Sequence, residues 1–279
     1  MRNAIGIDIG GTHTRAARVS ADGRILAHRV GATARTADMV LADAEAMIAA
    51  LRDDATAAIG IGVPGRVDGL SGRILSGGFV DLSTISLTGL NAFADNDANM
   101  ALVAEARLGA ARGARHALML TIGTGIGGAI LADGRIFHGG GSAGQLGHVT
   151  VKVEGAPCKC GRRGCLETES SGTALERHMA AAGFPAGTRV ADVLNADSAA
   201  ARAVVAAWAT PLRAGIDSLV AAFAPEIVIL GGGLGAAAVN ALARTPAVSP
   251  WFQCGVLAAT LGDEAGVIGA ALAALERAP

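Results

Sequence analysis

Residues 4–26, AIGIDIGGTHTRAARVSADGRIL, decide how this chain folds, because the same pattern returns as ALMLTIGTGIGGAILADGRIF at residues 117–137. Each copy is an apolar strand, a Gly/Thr turn, a second apolar strand, and an Asp-Gly-Arg-Ile turn into a third. Asp22-Gly23 and Asp133-Gly134 are hairpin signals, as Asp-Gly suits the left-handed backbone of tight hairpin turns. A β-meander therefore opens each of two similar halves. Between the copies, residues 36–53 have helical spacing, with Met39, Val40, Met47, Ile48 and Leu51 apolar. Ile59 to Val63 reads as a short buried strand stopped by Pro64-Gly65, and residues 94–112 as a second helix. Further on, Ser170-Ser171-Gly172-Thr173 can cap a helix. Residues 199–222 form a long helix that Pro211 is expected to kink or split. Residues 226–230 are a strand ending in Gly231-Gly232-Gly233, and 265–277 a final helix. Runs of three strands followed by helices, twice over, make an α/β protein.

The 279 residues suit one large domain or two modest ones. With 51% apolar and 17% charged residues a sizeable core is assured and disorder is excluded. A net charge of −1 without a basic block gives no footprint for nucleic acid or an anionic membrane. No segment approaches the ~18–20 apolar residues that span a bilayer, and no signal peptide opens the sequence. The forty glycines cluster at the ends of apolar runs, as tight turns around a ligand would.

Three of the four cysteines fall within eight residues of GQLGHVTVKVEGAPCKCGRRGCLE, residues 144–167. His148, Cys158, Cys160 and Cys165 on a turn-rich segment are the donor set of a closed tetrahedral Zn²⁺ site. Four protein ligands leave no open position, so the zinc is expected to be structural, holding His148 and Glu167 in place. A cysteine–metal cluster without a secretory signal fits a reducing cytoplasm. Cys254, left over, is expected to be a buried free thiol.

Gly123, Gly125 and Gly128 match the dinucleotide fingerprint formally, but the glycines run into a strand, where that fingerprint needs a helix. Strand, glycine turn, strand instead lines up backbone N–H groups for phosphate oxygens. Asp8, beside Gly10-Gly11-Thr12, can hold Mg²⁺ or simply stabilise its turn. Asp97, in Asp95-Asn96-Asp97-Ala98-Asn99 at a helix start, reads equally as a cap or as a base kept ionised by the helix N-terminus.

Together Asp8-Ile9-Gly10-Gly11-Thr12, Asn96-Asp97-Ala98-Asn99, the TIGTGIGG run at 121–128, and Gly147-His148 with Cys158, Cys160, Cys165 and Glu167 resemble the ROK sugar kinases, of the actin-like, hexokinase-type ATPase superfamily. The resemblance covers nearly the whole chain. It implies two actin-like, ribonuclease H-like α/β domains with a ligand cleft between them: residues 1–112 with 265–279, and 113–264 with the zinc loop 148–165. It implies ATP-dependent phosphorylation of a hexose or N-acetylhexosamine, of glucose or N-acetylmannosamine type, at a primary hydroxyl. Asp97 becomes the general base, and Gly65, Asn96, Gln145, His148 and Glu167 sugar ligands. Gly10, Gly11, Thr12 and Thr121, Gly123, Thr124, Gly125 become the phosphate loops, with Asp8 and Mg²⁺, and Gly232 and Gly233 the adenosine side. ATP, Mg²⁺ and structural Zn²⁺ are the implied cofactors, the cytoplasm the location and a homodimer the assembly.

The chain departs from that family at Gln145, usually Glu, at His13, usually Lys, and in the short interval between Val80 and Asn96. ROK repressors share the core but carry a DNA-binding helix-turn-helix ahead of it, for which Asp8 stands too near the start. A non-catalytic sugar-binding regulatory protein is the alternative reading.

Overall fold

The computed structural model describes residues 2–247 and 249–278. Three antiparallel strands open the chain, β1 (Asn3–Ile9), β2 (His13–Ser20) and β3 (Ile25–Ala32), before helix α1 (Ala37–Leu51) and strand β4 (Thr56–Val63). A small hairpin, β5 (Arg66–Asp68) and β6 (Arg73–Ser76), precedes strand β7 (Phe93–Asn96) and helix α2 (Asp97–Leu108). The scheme starts again with β8 (Ala117–Ile122), β9 (Ile126–Ala132) and β10 (Arg135–Ile136). Helices α3 (Leu166–Ser170), α4 (Gly172–Ala181), α5 (Val190–Asn195) and α6 (Ala199–Phe223) follow. The chain ends with β11 (Ile227–Gly231), α7 (Gly235–Ala243), β12 (Gly255–Ala258) and α8 (Ala265–Arg277).

Two five-stranded sheets result, ordered β3-β2-β1-β4-β7 and β10-β9-β8-β11-β12. By rank within each run both read third, second, first, fourth, fifth, so the duplicated sequence is a duplicated topology. In each, the meander supplies the antiparallel side and later strands add in parallel, β4 and β7 in one, β11 and β12 in the other.

Contacts divide the chain into two compact units, Met1–Gly113 with Ile130–Gly144 and Thr260–Pro279, and Ala114–Ala129 with Gln145–Ala259. Residues 130–144 and 260–264, which the sequence reading puts in the second half, therefore pack with the first. Hydrogen bonds explain the exchange: Gly69 N–H donates to the Gly141 carbonyl at 2.8 Å, and the N–H groups of Thr260 and Leu261 donate to the Glu105 carboxylate at 2.8 and 2.9 Å.

In the first unit β1 is buried at every position except the half-buried Asp8, which accounts for its near-continuous apolar run. Helix α1 turns Val40, Ala44, Ile48 and Leu51 inward at helical spacing, whereas Met39 is 58% exposed and lies off that face. Helix α8 is buried along residues 265–274 and packs on β1, β4 and α2. Its approach is backbone to backbone: a Cβ on Gly269 would stand 1.7 Å from the Met100 carbonyl oxygen, and one on Gly60 of β4 1.9 Å from that of Ala270.

The expected helix at 94–112 is shorter. Phe93 to Asn96 instead pair with Gly60 to Val63 as β7, because Ala94 and Asp95 complete the buried sheet and Asn96 caps the helix that starts at Asp97. Between Val80 and Asn96 lie only two 3₁₀ turns, Leu82–Thr84 and Thr88–Leu90, and the strand still reaches its place. Helix α6 runs unsplit through Pro211. Among the described residues no helix is long and apolar enough to cross a membrane.

Helix propensity favours Ala over Gly by about 1 kcal/mol, yet Gly269→Ala should lower stability here, by roughly 1–3 kcal/mol, because the added Cβ meets backbone. Urea unfolding measures it, and a stabilised variant would contradict the packing described.

Candidate functional site

In the first unit the β1–β2 turn closes with the Gly10 N–H donating to the His13 carbonyl at 3.0 Å. Thr33 holds the turn's carbonyls: its Oγ1 donates to Gly10 O at 2.7 Å and its N–H to Thr12 O at 2.9 Å. Gly11, Thr12 and His13 stay exposed. A turn whose carbonyls are engaged on one side suits anion binding by the N–H groups on the other.

Asp8, next to last in β1, lies opposite Arg15 on β2 and against the first turn of α8 at Gly266. Burial first, and then the charge of Asp97, raise its pKa to about 7, with Arg15 opposing and Asp263 adding to the rise. Such a carboxylate lacks a full counter-charge, and its donor chemistry fits a hard divalent cation.

Asp97 is the first residue of α2. The Asn96 side chain caps the helix by accepting from Ala98 N–H at 3.0 Å, and its amide donates to the Gly65 carbonyl at 2.8 Å. Asp97 Oδ1 also accepts from Ala98 N–H, at 2.8 Å. The N–H donors of the helix terminus favour the ionised carboxylate, as expected. Burial outweighs them and raises its pKa to about 6. That places it close to neutral pH, where a general base works best.

In the second unit the ligand atoms of His148, Cys158, Cys160 and Cys165 all lie within 4.8 Å of one another. His148 Nδ1 is 3.5 Å from Cys158 Sγ, and the sulfurs of Cys160 and Cys165 are 3.6 Å apart. Bonds of roughly 2.0–2.3 Å at tetrahedral angles put ligand atoms about 3.5–3.8 Å apart, so the cluster has the spacing to hold one metal ion. Burial lowers the pKa of His148, leaving the neutral imidazole that ligates metals. The Arg162 backbone N–H draws Cys160 down to about 7, while burial pushes Cys165 up to about 12. A bound cation would supply the charge that lets the buried thiol ionise. Cys254, expected buried, is half-buried with its thiol towards the Pro225 carbonyl.

Cys165 also starts α3, which carries Glu167. Glu167 Oε2 accepts the Ile126 N–H at 2.9 Å and lies so close to Gly125 that a Cβ there would be 2.3 Å away. The metal cluster, Glu167 and the β8–β9 turn are therefore one connected structure. In that turn Gly123 O accepts from Gly172 N–H at 2.7 Å and Thr124 O from Thr173 Oγ1 at 2.9 Å, so α4 holds its carbonyls as Thr33 does in the first turn. Thr121, next to last in β8, lies beside Gly231 of β11. Gly232 follows with φ +76°, and Leu234 N–H donates to Ile122 O at 3.0 Å, which brings the Gly231-Gly232-Gly233 turn against the strand leading into Gly123. Gln145 stands half-buried ahead of the 3₁₀ turn Leu146–His148, its carbonyl accepting from His148 N–H.

Asp8, Asn96, Asp97 and Gly65 thus gather in one unit, and His148, Glu167 and the β8–β9 turn in the other. The sequence reading missed His138, whose Nε2 lies 2.6 Å from buried Asp95 Oδ2. Only the excess of acidic and amide groups in residues 95–99 hinted at a partner there, and nothing in the sequence pointed to residue 138.

Two α/β units of equal strand order, with glycine turns at the ends of their first strands, make the two-domain actin-like ATPase fold. The chain belongs to the ROK family, whose pattern it matches over residues 4–277. It is 33% identical to a glucokinase of Thermotoga maritima, over 98% of this chain and 97% of that one. It is 34% identical to an N-acetylmannosamine kinase of Citrobacter koseri, over 98% of each. A ROK family glucokinase from Streptomyces griseus, solved with glucose and AMPPNP, has a TM-score of 0.81 at 30% identity and covers 98% of this chain and 99% of that one.

Folded, Asp8 keeps its proton up to about pH 7, against an ordinary value of 3.8. The native chain therefore binds more protons than the unfolded one between those values, and stability falls as pH rises through that window. Asp8→Asn should melt higher than the parent at about pH 8 in metal-free buffer, the gain vanishing by about pH 4. Equal melting temperatures at the higher pH would contradict this.

Proposed function

We propose that the protein transfers the terminal phosphoryl group of ATP to a primary hydroxyl of a hexose or N-acetylhexosamine, of glucose or N-acetylmannosamine type. The observation that carries the reading is Asp97, half-buried at a helix start with its pKa near 6. In this reaction the sugar oxygen forms its bond to the γ-phosphorus, the bond to ADP breaks, and the hydroxyl proton passes to Asp97. Asn96, held by Gly65, and the residues Gln145, His148 and Glu167 orient the sugar. The two glycine turns, Gly10 to Thr12 and Thr121 to Gly125, hold the ATP phosphates through those N–H groups that the turns' own bonds do not use, with Gly232 and Gly233 on the adenosine side. Asp8 would hold Mg²⁺, which supplies charge neutralisation at the phosphates when bound.

His148, Cys158, Cys160 and Cys165 would hold Zn²⁺ in a structural role, since all four positions are filled by protein. Its contact path runs through Cys165 and α3 to Glu167 and the Ile126 N–H, so the ion acts on substrate geometry. Gln145 offers both a donor and an acceptor, where a carboxylate only accepts, which suits an N-acetyl carbonyl as well as a hydroxyl. A cytoplasmic location and a homodimeric assembly accompany the reading.

ADP release measured over a panel of hexoses and N-acetylhexosamines tests the activity. Asp97→Asn should lower kcat by ~10²–10⁴ while calorimetric sugar affinity holds, because only the proton acceptor is lost. In the parent, kcat/KM should fall below about pH 6, where Asp97 takes up its proton. Turnover near the parent's in the variant would exclude Asp97 as the base.

Elemental analysis should find one zinc per chain. Chelation should weaken sugar binding while circular dichroism still reports a folded chain. Metal-free protein with full sugar affinity, or a Cys158–Cys165 disulfide, would refute the structural zinc.

A further inference from the structure

None of the roles above uses Asp95, the residue between the sheet and the Asn96-Asp97 pair. Its side chain is only 1% exposed, yet its carboxylate gathers three donors. Oδ1 accepts the backbone N–H of Asn96 at 2.7 Å and the side-chain amide of Asn99 at 2.8 Å. Oδ2 meets Nε2 of His138 at 2.6 Å. His138 comes from the segment after β10, is 11% exposed, and lies directly against Gly69 in the β5–β6 hairpin.

A carboxylate already accepting two N–H bonds is acting as an acceptor, so His138 Nε2 carries the hydrogen of the third. Short bonds of this kind to a buried carboxylate are among the strong ones. The three donors are not equivalent. Asn96, the cap of α2, and Asn99 in its first turn are neighbours of Asp95 in the chain, whereas His138 comes from a distant segment of the unit. Its bond therefore ties the Asp95 carboxylate, and with it the start of α2, to the segment after β10, beside the bond from the Asn96 amide to the Gly65 carbonyl.

We propose that His138 is a positioning residue for phosphoryl transfer. Through the Asp95 carboxylate it fixes the first turn of α2, and thereby the aim of Asn96 and Asp97. The proposal rests on Asp97 being the base. A loop anchor of purely structural use would also explain one hydrogen bond, but it would leave the geometry at residues 96–98 unchanged when removed.

The test uses the full chain with His138→Ala, His138→Gln, Asp95→Asn and the Ala/Asn double variant. With ATP and the best sugar of the panel, His138→Ala should lower kcat by about ten- to a hundredfold, the value of one lost charge-assisted bond, with the KM for ATP unchanged. His138→Gln keeps an N–H donor at similar reach and should recover most of the loss. The double variant should be no slower than Asp95→Asn alone. Independently of turnover, the backbone amide resonances of Asn96, Asp97 and Ala98 should shift in His138→Ala and return in His138→Gln. Unmoved resonances, equal impairment of the Ala and Gln variants, or losses that multiply in the double variant would each overturn the proposal. A parent chain that releases no ADP with any sugar would instead overturn the kinase reading, and the resonances alone would then decide the role of His138.

Discussion

Direct backbone contact between α8 and the strands β1 and β4 is the constraint on which the first unit depends. Glycines on both partners let the last helix of the chain lie against its first strand. That proximity buries Asp8 near the end of β1 against the first turn of α8, and burial is the leading cause of its raised pKa. The same helix packs on α2, whose first residue is Asp97. One packing decision thus sets the environment of two carboxylates, each of which would be an ordinary surface acid in a looser fold. Burial raises both, and the charge of Asp97 adds to the rise at Asp8, so each is poised close to neutral pH at a cost to stability that a catalytic site tolerates.

The second unit solves a different problem. Residues 159–163 of the cysteine loop are exposed and polar, so burial alone does not fix them. The clustered imidazole and thiols give a metal the means to do so, and α3 begins at the last of these ligands. From there Glu167 reaches the Ile126 N–H, and Gly125 is the residue that leaves room for it. A chain of short contacts runs from the candidate cation site to the turn proposed to hold phosphate.

The fold was legible because its duplication is written twice in the sequence with the same turn chemistry, Asp-Gly-Arg-Ile included. The metal cluster was legible from residue type and spacing alone. What escaped detection depends on long-range packing. The start of α2 was read too early because Ala94 and Asp95 favour no element strongly until β4 lies beside them. The packing of residues 138–141 with the first unit is invisible in the sequence because the bonds of His138 to Asp95 and of Gly69 to Gly141 join segments far apart in the chain. For Asp97 the helix terminus is visible in the sequence, and the burial that raises its pKa is not.

Phosphorus NMR of the protein with ATP and glucose or N-acetylmannosamine follows the transferred group itself. Catalysis of the kind described gives one new phosphomonoester signal, split by two methylene protons, growing in step with ADP. Inorganic phosphate as the partner of ADP, or an ester on a ring carbon bearing a single proton, would contradict transfer to a primary hydroxyl with Asp97 as its base.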